Sequence, residues 1–160
     1  MTLRIERATE RDIPIILQMI HDLAVYERMA DQAVASEAGL RDALFSGRRD
    51  AEVILAYADD QPAGFALFFH NFSTFLGRRG LYLEDLFVKP ELRGAGIGKR
   101  LLVELARIAV ERGCGRFEWS VLDWNEPAIG FYKKLGAEPM DEWTIFRVTG
   151  EALERLSRLP

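Results

Sequence analysis

The 160 residues hold one cysteine, Cys114, and two histidines, His21 and His70. A lone cysteine closes no disulfide within the chain and builds no thiolate metal site. Two histidines make a histidine-rich metal centre or a histidine-centred triad unattractive, so the expectation is a protein that works without metal. No apolar run approaches the roughly 18 residues that cross a bilayer. The N-terminal run MTLRIERATERD places charges where a signal peptide needs an apolar core. A cytoplasmic protein with no membrane partner is predicted. Positive charge is also scarce: the net charge is −4 and no basic block stands out. That argues against nucleic acid as a partner and leaves a cationic ligand open.

What is present is ordinary for a soluble globular chain, 49% hydrophobic and 29% charged residues. The length is that of a single domain with a sizeable core, predicted to span residues 1–160. Residues 3–7 alternate apolar and charged and read as a strand. Thr9 and Asp12 mark the start of a helix that the spacing of Ile13, Ile16, Leu17, Ile20, Leu23 and Ala24 carries to about Arg28. Ser36 caps a second helix, to about Phe45. Strands at 52–57 and 63–72, with turn chemistry at Asp59-Asp60-Gln61-Pro62, predict an antiparallel hairpin. A loop is expected at 71–80, strands at 116–122 and 143–148, and helices at 126–135 and 151–159. The order β-α-α-β-β-β-α-β-α-β with a terminal helix predicts an α/β (α+β) fold, a mixed sheet with helices on both faces.

One stretch organises the rest: LYLEDLFVKPELRGAGIGKRLLVE, residues 81–104. It opens as an apolar strand, breaks at Pro90, and passes through Arg93-Gly94-Ala95-Gly96-Ile97-Gly98 into an amphipathic helix. Ile97, Leu101, Leu105 and Ile108 mark the apolar stripe of that helix. Glycines between a strand and a helix let backbone N–H groups approach a ligand closely. The helix N-terminus adds unpaired donors and partial positive charge, so the expected ligand is an anion such as a phosphate. The spacing is neither the dinucleotide fingerprint nor the P-loop, and a plain tight turn into a helix would also account for it.

Arg93, Gly96 and Gly98 resemble the R-x-x-G-x-G motif of the GNAT superfamily of N-acetyltransferases, whose element order the chain also shares. Tyr26-Glu27, the run YLEDLFV, Trp124-Asn125-Glu126-Pro127 and Phe131-Tyr132-Lys133 resemble one branch of it, the diamine (spermidine/spermine) and thialysine N-acetyltransferases. The resemblance covers nearly the whole chain. It implies a mostly antiparallel sheet, acetyl-CoA as co-substrate, a small cationic amine as acceptor and a homodimer. It implies that residues 93–98 (Arg93, Gly94, Ala95, Gly96, Ile97, Gly98) cradle the pyrophosphate, and Lys99, one residue on, is a candidate to reach the same phosphates. Leu86, Phe87 and Val88 would offer backbone groups to the pantetheine arm from a bulged, splayed strand, and Asn125 and Ala128 would touch the cofactor. Asn125 serves equally well as a helix cap.

Acetyl transfer to an amine needs a base, because a free alkylamine with a pKa near 10 is almost entirely protonated at neutral pH. Glu84 is the candidate base, with burial expected to raise its pKa toward neutrality. By the resemblance Tyr132 is the acid that protonates the departing thiolate. A ring simply packed on a helix is the plainer use of a tyrosine. The resemblance brings together Glu27, Glu84, Asp85, Glu118 and Glu142, with Tyr26, Trp119 and Trp143, as the candidate amine pocket; carboxylates and aromatic faces both favour an ammonium, and each residue alone reads as ordinary surface or core. A non-catalytic acyl-CoA-binding sensor on the same fold is the alternative; it would keep the glycine loop and lose the acid and base.

Overall fold

Five strands form one sheet in the order β1-β2-β3-β4-β5 in the computed structural model, which describes residues 1–160. They are β1 (Leu3–Arg7), β2 (Glu52–Ala58), β3 (Gln61–Ser73), β4 (Arg78–Val88) and β5 (Phe117–Trp119). The first four are antiparallel neighbours, and β5 runs parallel to β4. Asp59 and Asp60 both take positive φ, 47° and 64°. That is the two-residue turn whose twist suits a hairpin, and Asp tolerates it through its short polar side chain. The strands around the next turn are longer than expected. β3 runs to Ser73 and β4 begins at Arg78, so most of the predicted loop at 71–80 is paired strand.

Alternation along the strands sends side chains to two faces. On one face Val53, Leu55, Tyr57, Phe65 and Phe87 pack with Ile13, Ile16, Met19 and Leu23 of α1 (Ile13–Tyr26) and with Leu40 and Leu44 of α2 (Glu37–Phe45). The other face carries Ile54, Ala56, Ala66, Phe68, Leu81 and Leu83, all buried. There α3 (Ile97–Glu111) lies against β2, β3 and β4 and buries Ile97, Leu101, Leu102, Leu105 and Ile108. The sheet is therefore mixed and mostly antiparallel, with helices on both faces.

The predicted caps have a local cause in each case. Ser36 Oγ accepts from the Gly39 N–H at 3.0 Å and starts α2. The Thr9–Asp12 box closes on a short 3-10 turn, Glu10–Asp12, and α1 proper begins one residue later. α1 ends at Tyr26 rather than Arg28, because Arg28 takes a φ of 62° that no helix continues. Gly113, at φ 69°, ends the turn after α3.

The structure divides into two compact units, Met1–Leu122 and Asp123–Pro160. The second holds α4 (Glu126–Lys134) and α5 (Gly150–Ser157). Two strand expectations are corrected. The strand at 116–122 shrinks to Phe117–Trp119, and no strand forms over 143–148. WTIFRV has the composition of a strand, but a strand exists only where a neighbouring chain takes up its N–H and C=O groups. Residues 143–148 form no ladder in the five-stranded sheet.

Candidate active site

Between β3 and β4 the register slips by one residue. Leu67 faces Asp85 and Phe68 faces Leu83, which leaves Glu84 as an extra residue on β4. This is a β-bulge, and it inverts the alternation of everything beyond it. Before the bulge, Leu81 donates its N–H to Arg116 beyond the β5 edge, at 2.9 Å. After it, Lys89 donates back to Ala63 beside β3, also at 2.9 Å. By alternation Phe87 points its backbone at β3, whereas Leu86 and Val88 point theirs toward the β5 side. β5 does not follow them: pairing stops at Leu83–Trp119. The edge from Glu84 to Val88 thus carries backbone N–H and C=O groups with no strand beside it. Such an edge can hydrogen-bond an extended ligand arm. Among the three residues assigned to that arm, Phe87 differs: its backbone faces β3 and its ring is 3% exposed in the core.

The same bulge sets the carboxylates. Asp85 is paired with Leu67, which packs on the α1 face of the sheet, and burial there pushes its carboxyl up from 3.8 to about 6, with Glu84 and Glu27 adding to the rise. Glu27, just past the end of α1, is also raised, first by burial and then by Glu84. Three of the predicted acids, Glu27, Glu84 and Asp85, are therefore close enough to feel one another's charge. Glu84 is exposed, against the expectation of burial, because the extra residue of a bulge is the one displaced from the packed face. Burial falls on its neighbour. Glu118 is engaged elsewhere: it accepts from Asn71 Nδ2 at 3.4 Å and lines a small cavity with Arg78, Arg79 and Arg116. Trp119 packs against Phe117, with ring centroids 4.9 Å apart and the planes tilted by 57°.

The glycine loop follows β4 through a 3-10 turn, Pro90–Leu92. Gly94 and Gly96 take positive φ, 88° and 81°, where a side chain is strained whatever the space around it. Gly96 stands at the N-cap of α3 with no side chain to cap it. The first-turn N–H groups of a fifteen-residue helix are thereby left for a ligand, next to exposed Ala95 and Lys99. Arg93 does something the motif does not reveal. Its Nε donates to the Val88 carbonyl at 3.0 Å, and its guanidinium lies 4.5 Å from the Tyr26 ring centroid and 5.7 Å from that of Phe87. No signal in the sequence connects Tyr26 with Arg93, because the contact depends on how α1 and the loop meet.

The conformations separate two substitutions. Gly96→Val confounds strain with lost binding. Gly98 has no positive φ, and a Cβ there would sit 3.8 Å from Val88 Cγ2, an ordinary contact. Gly98→Val is therefore expected to fold and to put a branched group over the helix N-terminus. With the loop holding the pyrophosphate as the resemblance implies, the KM for acetyl-CoA should rise about ten- to a hundredfold, the scale of one or two lost charge-assisted hydrogen bonds. Unchanged CoA affinity by calorimetry in the folded variant would remove this loop as the phosphate site.

In the second unit Asn125 Oδ1 accepts from the Ala128 N–H at 3.4 Å and caps α4, with Pro127 in its first turn. Tyr132 lies on α4 with its ring 5.6 Å from that of Phe131. Glu142 and Trp143 fall in the irregular stretch before α5.

Comparison with known proteins bears on what this arrangement does. The chain matches the acetyltransferase (GNAT) family over residues 17–137. It is 40% identical to the thialysine N-epsilon-acetyltransferase of Sus scrofa, over 96% of this chain and 96% of that protein. It is 34% identical to the L-ornithine N5-acetyltransferase of Arabidopsis thaliana, over 98% of this chain and 88% of that protein. A solved integron cassette protein from the mobile metagenome of V. cholerae superposes with a TM-score of 0.83 at 31% identity, over 99% of both chains. The chain belongs to the GNAT acetyltransferase family. It is an N-acetyltransferase, and the branch its motifs resemble is represented among its relatives.

Proposed function

We propose that the chain transfers an acetyl group from acetyl-CoA to the primary amine of a small cationic substrate: a polyamine, a diamine or a thialysine- or lysine-like amino acid. The observation that carries this is the cluster of Glu27, Glu84 and Asp85 at the start of the unpaired β4 edge. Three carboxylates beside a backbone edge attract an ammonium and repel an anionic acceptor. The relatives named for thialysine and ornithine act on substrates of that kind.

The chain's own groups fit acetyl-CoA. The uncapped N-terminus of α3 suits a pyrophosphate, and Leu86 presents its N–H and C=O, and Val88 its N–H, on the edge of β4 beyond the β5 pairing. When bound, the co-substrate supplies the thioester that the amine attacks. Asp85, with its carboxyl near 6, is mostly ionised at neutral pH and able to take a proton from the docked ammonium, directly or through a water. Glu84, exposed beside it, attracts the cation. Tyr132 is the proposed acid for the leaving thiolate, on the family resemblance. Lys99 is the proposed phosphate contact from α3, and Asn125 and Ala128 from α4. Trp119, Glu118, Glu142 and Trp143 enter the amine site on the same resemblance alone. A single working domain over 1–160, a homodimer, a cytoplasmic location and the absence of a metal belong to the same proposal.

A thiol-release assay with acetyl-CoA against spermidine, thialysine, ornithine, lysine and short diamines tests it. Turnover on at least one of them is expected. Saturable CoA binding with no turnover on any amine would favour the sensor on the same fold. Glu84→Gln separates the two acids. With Asp85 as base, this variant should raise the KM for the best amine about tenfold and keep kcat. A large fall in kcat at neutral pH that shrinks at high pH, where the amine arrives deprotonated, would make Glu84 the base instead.

A further inference from the structure

Tyr26 adjoins Glu27 of the candidate amine pocket, and its ring meets Arg93 of the glycine loop. We propose that Tyr26 is a positioning residue for the acyl-donor loop, acting through Arg93; this rests on the acetyl-CoA reading above. Three contacts converge on one guanidinium. Its Nε holds the Val88 carbonyl at 3.0 Å, and the Tyr26 and Phe87 rings lie 4.5 and 5.7 Å from its Cζ. Phe87 is buried in the core and Tyr26 closes α1, so the arginine is anchored between the sheet and a helix end. Arg93 is also the residue from which Gly94 to Gly98 depart. A loop containing two glycines at positive φ has little conformational preference of its own, and Arg93 fixes where it starts. The guanidinium thus orients the backbone N–H groups that meet the pyrophosphate, while its side chain is committed to the protein. A planar guanidinium on an aromatic face does this as a lysine cannot.

Tyr26 and Glu27 are consecutive, so the residue that steadies the donor loop adjoins one that faces the acceptor. Arg28, next along, holds a φ of 62° that a non-glycine residue rarely adopts, which fixes how the pair leaves α1.

The test compares donors with and without the pyrophosphate. Tyr26→Leu should raise the CoA dissociation constant about fivefold, the size of one partly exposed cation–π contact. The ratio of its kcat/KM on acetyl-CoA to that on acetyl-pantetheine, which lacks the pyrophosphate, should fall by the same factor. Tyr26→Phe keeps the ring and should restore CoA binding. Arg93→Lys should match the Leu variant, and the double variant should be no worse than either single one, as expected of residues acting as one unit. Equal CoA affinity in wild type and Tyr26→Leu would overturn the proposal. So would a loss shared equally by acetyl-CoA and acetyl-pantetheine, which would mark a general structural role. A wild-type protein that binds no CoA would instead overturn the acetyl-CoA reading, and with it this inference.

Discussion

Asp85→Asn should lower kcat/KM for the best amine about a hundredfold or more at pH 7.5, the scale of a positioned general base. It should also abolish the acidic limb of the wild-type pH–rate profile, which is expected near pH 6. The limb follows from a carboxyl that burial, then Glu84, then Glu27 push up to about 6. Below that pH the base is protonated and idle; above it the base is ready. The loss should shrink toward high pH, where more of the amine arrives deprotonated. Stability should move the opposite way. The folded protein holds this proton more tightly than the unfolded chain, whose Asp titrates near 3.8. Folding is therefore penalised progressively as pH rises from about 4 to about 6, and the penalty is complete above that. Asn at 85 carries no such penalty. Thermal melts should show the variant a few degrees more stable than wild type at pH 7–8, with the gap closing by pH 4. An acidic limb that survives in Asp85→Asn and vanishes in Glu84→Gln would transfer the role to Glu84.

Tyr132→Phe is expected to cut kcat by about a hundredfold and leave the CoA dissociation constant nearly unchanged. The substitution keeps the ring against Phe131 and removes only the hydroxyl. A positioned proton donor contributes on that scale. Phenols in general are weaker acids than thiols, so a proton donor of this kind needs a site that favours the protonated sulfur. A donor with a better leaving thiolate should then rescue the variant more than it accelerates wild type. Measuring kcat with acetyl thioesters of graded thiol pKa checks this. A variant with wild-type kcat on acetyl-CoA would make Tyr132 a packing residue.

Much of the scaffold was legible because its causes are local. Ser36 and Asn125 cap helices through hydrogen bonds to residues three positions on. The Asp59-Asp60 turn and the stripe from Ile97 to Ile108 are equally short-range. The run WTIFRV shows the limit of such signals, since strand propensity is a statement about neighbours that the sequence does not display. The acids show it more sharply. Glu84 and Asp85 are adjacent carboxylates in an apolar strand, and nothing local tells them apart.

By itself the sequence determined the family, the order of most elements, the glycine loop that opens α3 and the acidic residues at 84 and 85. Each of these depends on residues near one another in the chain: glycines at fixed spacing, caps, and apolar residues at helical or strand period. The tertiary structure alone decided which acid is half-buried, which backbone groups lie beyond the end of the β5 pairing and what Arg93 holds. One extra residue on β4, set by pairing with β3, turns Glu84 out and Asp85 in. It aims Leu86 and Val88 at the side where β5 has stopped pairing. The contact of Arg93 with Tyr26 joins residues far apart in sequence, and only the packing of α1 beside the loop brings them within 4.5 Å.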